Sequence, residues 1–381
     1  MKKPKIRFNG FNDDWEQRKL GKIVEVHNGK DYKHLEKGNI PVYGTGGYML
    51  SVSESLSDTQ DAIGIGRKGT IDKPYILRAP FWTVDTLFYC IPREENDLNF
   101  IFDIFQNINW RLMDESTGVP SLSKKSINNV KILVPNKKEQ KQIGLYFNQL
   151  DHLITLHQRK CDEIKKLKKY MLQNMFPQDE EKVPKIRFYG FTDDWEQRKL
   201  GEVADIVGGG TPSTNVSNYW DGNIDWYAPA EISDQIFLSS SQRKITEKGY
   251  NNSSAKMLPI GTVLFTSRAG IGKTAILSKK GCTNQGFQSI VPHKDELDSY
   301  FIFSRTDELK RYGEIVGAGS TFVEVSGKQM ANIEMMMPKT ISEQKVIGAY
   351  FAKLDHLITL HQRKCDELKN MKKFMLQNMF V

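Results

Sequence analysis

"DHLITLHQRKCDE" occupies Asp151–Glu163 and occurs again, letter for letter, at Asp355–Glu367. The two copies belong to a longer repeat, in which residues 139–176 align without gaps to 343–380 and 30 of 38 positions are identical. A second pair of matching segments, residues 4–21 and 184–201, precedes two blocks of unlike sequence, 22–138 and 202–342. Repeats so long and so few are not solenoid units. The order predicts two half-molecules that share their flanking segments and differ in content.

The repeated segment has the pattern of a coiled-coil helix. Its two heptad series are Ile143, Leu150, His157, Ile164, Met171 and Phe147, Ile154, Cys161, Lys168, Met175, and the second copy repeats them. Interleaved apolar positions over four heptads predict a helix–helix seam, and 38 helical residues would extend ~57 Å. If the halves are related by a pseudo-two-fold, the helices run antiparallel. His157 should then meet His361, with Cys161 and Cys365 near the same level.

The unlike blocks predict mixed α+β domains. Both have short apolar runs typical of strands, Gly-rich loops, one helical stretch (98–116 and 297–315) and a final strand before Pro135 or Pro338. The duplicated "DDWE" segments predict a capped helix start or a docking surface. The predicted boundaries are 1–138 and 181–342 for the domains, and 139–180 and 343–381 for the helices.

The composition excludes several classes of protein. With 39% apolar residues, a net charge of +8 and a pI near 9.0, the chain is globular and suited to a polyanionic partner. Lys248–Lys294 holds seven basic and no acidic residues. The four cysteines form no C-x-x-C pair, so neither a zinc site nor a disulfide framework is indicated. No apolar run is long enough to span a membrane, and we expect a cytoplasmic protein.

Three motifs suggest chemistry, but none is complete. "GIGRKG" (64–69) lacks the following helix of a dinucleotide site, and "SRAGIGKT" (267–274) has Ser267 in place of the first glycine of a phosphate loop. The latter predicts a hairpin-like loop that can touch an anion. "HLITLH" does not have the i, i+4 spacing of a zinc helix. We therefore predict no catalytic residue and no metal ligand.

Several stretches resemble the specificity (S) subunits of type I restriction-modification enzymes. "GGGTPSTNVSNYWDGNIDWYAPAEIS" (208–233) resembles the opening of that family's target recognition domains, and "TSRAGIGKTAI" and "NQGFQSI" resemble later landmarks. In the first block, "IPVYGTGGYM", "GRKGTIDKPYI" and "FWTVDTLFYC" resemble the same landmarks in divergent form. With the duplicated helix, the resemblance covers essentially the whole chain.

The resemblance implies an α+β fold in which two α/β target recognition domains with strand-rich cores are separated by two long antiparallel coiled-coil helices, a pseudo-two-fold tandem repeat. Each domain would bind half of a split site in double-stranded DNA. The helices would dock two methyltransferase subunits, and two restriction (motor) subunits would join them. S-adenosylmethionine, ATP and Mg²⁺ would belong to those partners, with no cofactor in this chain. The alternatives are a self-contained enzyme, or a coiled-coil DNA-binding scaffold or regulator without such partners.

Candidate DNA contacts are polar loop residues, most of them without an acidic neighbour, because such loops can approach phosphates and base edges. In the first block they are Lys30, Tyr32, Lys33, Tyr43, Thr45, Arg67, Lys68, Ser121, Lys124 and Lys125. In the second they are Thr211, Ser213, Thr214, Arg243, Ser267, Arg268, Lys273, Asn284, Gln285, Ser320 and Thr321. Candidate docking residues, chosen because they are duplicated, are Asp13, Asp14, Trp15, Gln158, Arg159, Asp193, Asp194, Trp195, Gln362 and Arg363.

Overall fold

The chain divides by its contacts into two compact units. The computed structural model describes residues 3–178, 181–233, 235–268, 270–317 and 324–381. Unit 1 comprises the chain up to Lys160 together with His361–Val381, and unit 2 comprises Cys161–Leu360. Each unit therefore contains the first part of one repeated helix and the last part of the other.

Unit 1 is built on three small sheets. Its strands are β1 (Glu16–Lys19), β2 (Val24–Asn28), β3 (Lys37–Gly44), β4 (Gly47–Val52), β5 (Ala62–Gly66), β6 (Tyr75–Leu77), β7 (Trp82–Thr83), β8 (Leu87–Pro92) and β9 (Lys131–Val134). They form sheets in the orders β2-β8-β5-β6, β4-β3-β7 and β1-β9. Strand β5, "AIGIG", is buried along its whole length and lies inside its sheet, which explains its continuous apolar sequence.

Three α-helices begin in unit 1: α1 (Leu98–Asn107), α2 (Lys124–Asn129) and α3 (Lys137–Asn174). The Asp97 side chain caps α1 by accepting a hydrogen bond from the Phe100 N–H. The prediction of one helix over 98–116 is wrong at its end, because α1 stops at Asn107 and a 3₁₀ turn follows at Trp110–Met113. The buried Trp110 indole donates to the Phe105 carbonyl, so core packing turns the chain here.

Unit 2 has a similar set of strands. They are β10 (Glu196–Lys199), β11 (Ala204–Gly208), β12 (Trp220–Tyr227), β13 (Phe237–Leu238), β14 (Arg243–Ile245), β15 (Val263–Phe265), β16 (Thr274–Leu277), β17 (Cys282–Thr283), β18 (Gln288–Pro292) and β19 (Glu334–Met337). The sheet orders are β11-β18-β15-β16-β13, β14-β12-β17 and β10-β19. The antiparallel pairing of β15 with β16 confirms that "SRAGIGKT" lies in a hairpin loop.

The helices that begin in unit 2 are α4 (Leu200–Val203), α5 (Glu247–Asn251), α6 (Ser299–Ser304), α7 (Thr306–Gly317), α8 (Gly327–Ala331) and α9 (Ile341–Met379). The helix predicted over 297–315 is instead two helices, divided at Arg305. The Arg305 guanidinium is buried, where it binds Glu308 and the Met336 carbonyl. The repeated helices α3 and α9 start two residues before their predicted positions, within the usual uncertainty of helix ends.

A buried carboxylate joins the N-terminal segment of unit 1 to the start of α3. Glu139 accepts two hydrogen bonds from the Arg7 guanidinium, at 2.7 and 2.8 Å, and a third from the Trp15 indole at 3.3 Å. Strand β1 then pairs antiparallel with β9, immediately before the helix. We call Arg7, Trp15 and Glu139 the first clamp. The prediction that "DDWE" starts a helix is wrong, because pairing with β9 makes Glu16–Lys19 a strand.

Unit 2 has the equivalent second clamp, formed by Arg187, Trp195 and Glu343. The guanidinium–carboxylate distances are 2.7 and 2.9 Å, and the indole nitrogen lies 3.3 Å from the carboxylate. Strand β10 pairs with β19 as β1 pairs with β9. Trp15 and Trp195 are buried, so their prediction as docking residues is wrong: these side chains are duplicated because both units need them internally.

The last turns of a repeated helix complete the core of each unit. In unit 1, Phe380 packs against the rings of Trp15 and Phe100, and Lys372 binds the Asp151 carboxylate at 2.6 and 2.7 Å. In unit 2, Phe176 packs against Trp195 and Phe301, and Lys168 binds Asp355 at 2.6 Å. The repeated sequence thus makes two sets of internal contacts. The start of each long helix contributes to the core of one unit, and its end contributes to the core of the other.

The predicted helix seam is present. Ile143, Phe147, Leu150 and Cys161 are buried along α3, as is Met175 just after its end. Within unit 1 the helices run antiparallel, because Asp151 pairs with Lys372 and the later His157 pairs with the earlier His361. The Nδ1 atoms of these two histidines are 2.9 Å apart, which confirms the predicted contact.

Removing the charge of one clamp should loosen one unit only. Glu139→Gln leaves the half-buried Arg7 guanidinium without the buried carboxylate that binds it, so we expect the free energy of unfolding of unit 1 to fall by up to ~3 kcal/mol. Hydrogen exchange followed by mass spectrometry should show faster exchange in residues 3–160 and 361–381. Glu343→Gln should have the same effect in unit 2.

Glu367→Gln is the control, since Glu367 is exposed and binds only the exposed Lys364 among described residues. Its effect should stay below ~1 kcal/mol. Equal loosening of both units by Glu139→Gln, or no loosening, would contradict this account of the clamp.

Candidate nucleic-acid interface

Four backbone hydrogen bonds join the loops of unit 1 that contain predicted DNA contacts. The Lys30 N–H donates to the Thr83 carbonyl at 2.9 Å, and the Val84 N–H donates to the Tyr43 carbonyl at 3.0 Å. The Arg67 N–H donates to the Thr86 carbonyl at 2.8 Å, and the Arg67 carbonyl accepts from Leu122 at 2.9 Å. These bonds join the chain at or just after the ends of β2, β3, β5 and β7. We call this set of four bonds the loop scaffold.

Unit 2 has the same loop scaffold in equivalent places. The Gly210 N–H donates to Thr283 at 2.8 Å, and the Asn284 N–H to Tyr227 at 3.0 Å. The Ser267 N–H donates to Gly286 at 2.8 Å, and its carbonyl accepts from Val325 at 3.1 Å. Although the two blocks differ in sequence, they therefore hold their loops with matching backbone bonds.

A glycine marks the closest approach in each scaffold. A Cβ atom on Gly29 would overlap the Val84 carbonyl oxygen, and one on Gly209 would overlap that of Asn284. Only glycine lets the strand end lie against the neighbouring loop at these two positions. Both scaffolds thus require glycine at the equivalent position, which is Gly29 in unit 1 and Gly209 in unit 2.

The side chains that the scaffolds carry differ. Equivalent positions hold Lys30 and Gly210, Arg67 and Ser267, Val84 and Asn284, and Thr86 and Gly286. Of these side chains, Lys30 and Arg67 are exposed in unit 1, whereas in unit 2 Ser267 is buried and Asn284 is half-buried.

The scaffold of unit 1 brings together most of its predicted contacts. Lys30, Arg67 and Lys68 are exposed, and Lys68 forms a β-bridge with Ser121. Tyr43 is half-buried beside Tyr75. The remaining predicted residues border this group: Tyr32 and Lys33 after β2, Thr45 in the β3–β4 turn, and Lys124 and Lys125 at the start of α2.

Several predicted contacts of unit 2 are engaged inside the protein. The Asn284 side-chain oxygen accepts from the Gly286 N–H at 2.8 Å, and the Thr211 hydroxyl donates to Gln285. The Arg268 guanidinium is 2.7 Å from the Glu324 carboxylate, a partner that sequence reasoning missed because the two residues lie 56 positions apart. Asn284 and Gln285 therefore present their amide nitrogens rather than these oxygens.

Ser267 is a correction. Its side chain is fully buried, and its hydroxyl oxygen has no hydrogen-bond partner among described residues, so it is not available to DNA in this structure. The neighbouring strand ends enclose it because its backbone is part of the loop scaffold. Ser213, Thr214, Arg243 and Lys273 are exposed, as predicted for contacts. Ser320 and Thr321 lie outside the described residues.

The predicted docking residues other than the tryptophans lie at the surface. Asp13, Asp14, Asp193 and Asp194 are exposed before β1 and β10, and Arg159 and Arg363 are exposed on the long helices, where Gln158 and Gln362 are half-buried. Within the described residues, no group of three or more His, Cys, Asp or Glu side chains is arranged to hold a metal ion. Every helix of the described chain is too short or too polar to cross a lipid bilayer.

Comparison with known proteins decides the family. The model of the type I restriction modification DNA specificity domain matches the chain twice, at residues 12–166 and 192–370. The chain belongs to this family. It carries two tandem matches to the specificity domain.

Individual relatives agree with this assignment. The MjaIX specificity subunit of Methanocaldococcus jannaschii is 34% identical over 195 residues, which are 49% of this chain and 44% of that protein. The chain thus spans under half the length of that relative. The putative MjaX specificity subunit of the same organism is 24% identical across 97% of this chain and 93% of its own length.

A solved structure matches the whole fold. The crystal structure of the type I restriction-modification S subunit from M. genitalium superimposes with a TM-score of 0.73, covering 100% of this chain and 99% of that one at 14% identity. At that identity the match establishes the fold: two tandem domains with strand-rich cores and a pair of long helices.

Proposed function

We propose that this chain reads a split site in double-stranded DNA, with one target recognition domain (1–138 and 181–342) for each half-site, and that it docks two methyltransferase subunits. It would perform no chemistry itself. S-adenosylmethionine, ATP and Mg²⁺ would be bound by the methyltransferase and by two restriction subunits, in the cytoplasm where DNA is accessible.

The observation that carries this proposal is the pair of loop scaffolds. Their backbone bonds correspond one to one, while the side chains on them differ. Sequence-specific contacts come from side chains, and a fixed backbone sets where those side chains sit. Two equal supports with unlike side chains fit a protein that reads two different short sequences.

The charge of the loops fits a DNA partner. The exposed Lys30, Arg67 and Lys68 project from the scaffold of unit 1, and residues 116–138 add five lysines without an acidic residue. Clustered cations of this kind bind phosphates and release counterions. By contrast, "SRAGIGKT" connects two antiparallel strands and no helix follows it, so it lacks the helix N-terminus that a nucleotide phosphate loop uses.

The proposed docking surface is an exposed apolar pair repeated in both units. Met371 and Phe374 are 47% and 55% exposed on α9, and their sequence equivalents Leu167 and Tyr170 are 43% and 55% exposed on α3. Large apolar side chains left exposed at repeated positions are typical of a binding surface. Each long helix thus carries an exposed arginine, Arg159 or Arg363, and an exposed apolar pair at equivalent positions, which fits two identical partners.

Removing the cations of unit 1 should weaken DNA binding through the phosphates. For Arg67→Ala with Lys68→Ala in the complex with methyltransferase, we expect affinity to fall about 10-fold or more. The slope of log affinity against log salt should become shallower by about 1.8, because two phosphate contacts are lost. Both quantities are measured by fluorescence anisotropy, across a salt series, on a duplex that contains the site methylated by the complex.

Arg78→Ala is the matched control, since Arg78 is exposed in the same unit but bonded to Asp61 at 2.6 Å. It should leave both quantities nearly unchanged. Equal behaviour of the control and the double variant would count against a DNA surface at this scaffold.

Charging the apolar pair should block assembly. Tyr170→Glu with Phe374→Glu places a carboxylate in each proposed surface, and we expect methyltransferase affinity to fall at least about 10-fold. Size-exclusion chromatography with mass determination measures the assembly. Lys165→Glu with Lys369→Glu is the control, because both lysines are exposed on the same helices. Normal assembly of the first variant would direct attention to other surfaces.

A further inference from the structure

An arginine lies on an aromatic platform at the edge of unit 2. The Arg243 guanidinium carbon is 3.7 Å from the ring centroid of Trp220 and 5.8 Å from that of Trp226. The two indoles meet edge to face, 5.1 Å apart at 86°. Stacking on an indole fixes the plane of a guanidinium as well as its position, so Arg243 is held in one orientation while remaining exposed.

Strand register explains this placement. In the ladder of β14 with β12, Arg243 pairs with Trp226 and Lys244 pairs with Asp225. Neighbouring residues of a strand point to opposite faces, so Arg243 shares the face of the tryptophans and of the buried Ile245. A cation thus occupies a position that would otherwise suit an apolar side chain.

The nearest acid is already neutralised on the other face. Asp225 accepts hydrogen bonds from the Lys244 ammonium at 2.7 Å and from the Ser241 N–H at 2.9 Å. Burial favours its protonated form, but these bonds together outweigh burial, and the pKa of Asp225 is lowered. The Oδ1 atom of Asp225 is therefore engaged by Lys244 and Ser241.

Arg243 differs from most other arginines of unit 2. Arg187, Arg198, Arg268 and Arg305 each lie within 4.0 Å of a carboxylate. Among the described residues, Arg243 has no carboxylate within that distance and rests on the rings instead. Its hydrogen-bond donors are therefore available to a ligand, and its plane is already set.

The same tryptophans hold the Gly-rich loop that follows β11. The Trp226 indole donates to the Gly210 carbonyl at 2.8 Å, and the Trp220 indole donates to the Ser213 carbonyl at 3.2 Å. Arg243 and the loop with Thr211 and Ser213 consequently share one support. In unit 1 the position equivalent to Arg243, opposite Val42 on β4, is Leu50, so this feature belongs to unit 2 alone.

We propose that Arg243 reads a guanine in the half-site bound by unit 2, donating two hydrogen bonds to its O6 and N7 atoms. This inference rests on the proposed function and names one specificity-determining residue within it. A planar guanidinium held in a fixed orientation matches the two acceptors of guanine in the major groove, which no other base presents together. Trp220 is then a positioning residue.

The test begins with a duplex library carrying randomised positions, bound by the full chain with its methyltransferase and sequenced after selection. Wild-type protein should select two separated segments, with at least one invariant guanine in the segment read by unit 2. Arg243→Ala should lose the preference at that guanine alone and weaken binding to the selected duplex about 10- to 100-fold. Arg243→Lys, which keeps the charge and the folded strand, should lose most of the preference because it cannot form the paired bonds.

Replacing that guanine by 7-deazaguanine removes the N7 acceptor and isolates the contact. The replacement should weaken wild-type binding about 10-fold and leave Arg243→Ala binding almost unchanged. Arg198→Ala is the control for charge, since Arg198 binds carboxylates in the same unit. Its selected sequence should match that of the wild type.

Two results would overturn the inference: an unchanged sequence preference in Arg243→Ala, or a uniform loss of affinity for all sequences with a shallower salt dependence, which indicates a phosphate contact. Either result with two segments still selected refutes the role of Arg243 and leaves the split-site function intact. Selection of no sequence by wild-type protein would refute both.

Discussion

The fold of each unit depends on one buried carboxylate, Glu139 in unit 1 and Glu343 in unit 2. Each binds an arginine with two hydrogen bonds and a tryptophan with a third, at the start of a long helix. A buried carboxylate without such donors would be strongly destabilising. The clamp therefore fixes the N-terminal segment, the β1–β9 or β10–β19 ladder and the helix relative to one another within each unit.

This constraint explains why the flanking sequences are duplicated and the blocks are not. Each unit takes the beginning of one long helix and the end of the other, so both copies must satisfy the same internal contacts: the clamp, the lysine–aspartate pair and the phenylalanine that packs on the clamp tryptophan. With these contacts fixed, loop side chains can change without disturbing the unit. Sequence identity between copies is thus first a folding requirement, and only residues exposed at equivalent positions in both copies indicate partners.

Local sequence pattern predicted the two long helices α3 and α9, their seam and the contact of His157 with His361, because heptad spacing determines which helical face is buried. It failed where distant residues decide. Glu16–Lys19 becomes a strand through pairing with residues 131–134, and Trp15 is buried by Glu139 and Phe380. Ser267 reads as a polar loop residue, yet the scaffold encloses it. The partner of Arg268 and the platform under Arg243 likewise join segments far apart in the chain.

The central claim is that the two loop scaffolds are equivalent, and that the side chains on each recognise one half-site independently of the other. It is tested most directly by a chain in which residues 22–138 are replaced by a second copy of residues 202–342, assembled with its methyltransferase in a host whose methylated sites are sequenced. Because both supports are equivalent, the account predicts a site with the unit 2 half-site sequence on both sides of the unread gap. A site that keeps two unlike halves, or one continuous motif, would contradict it.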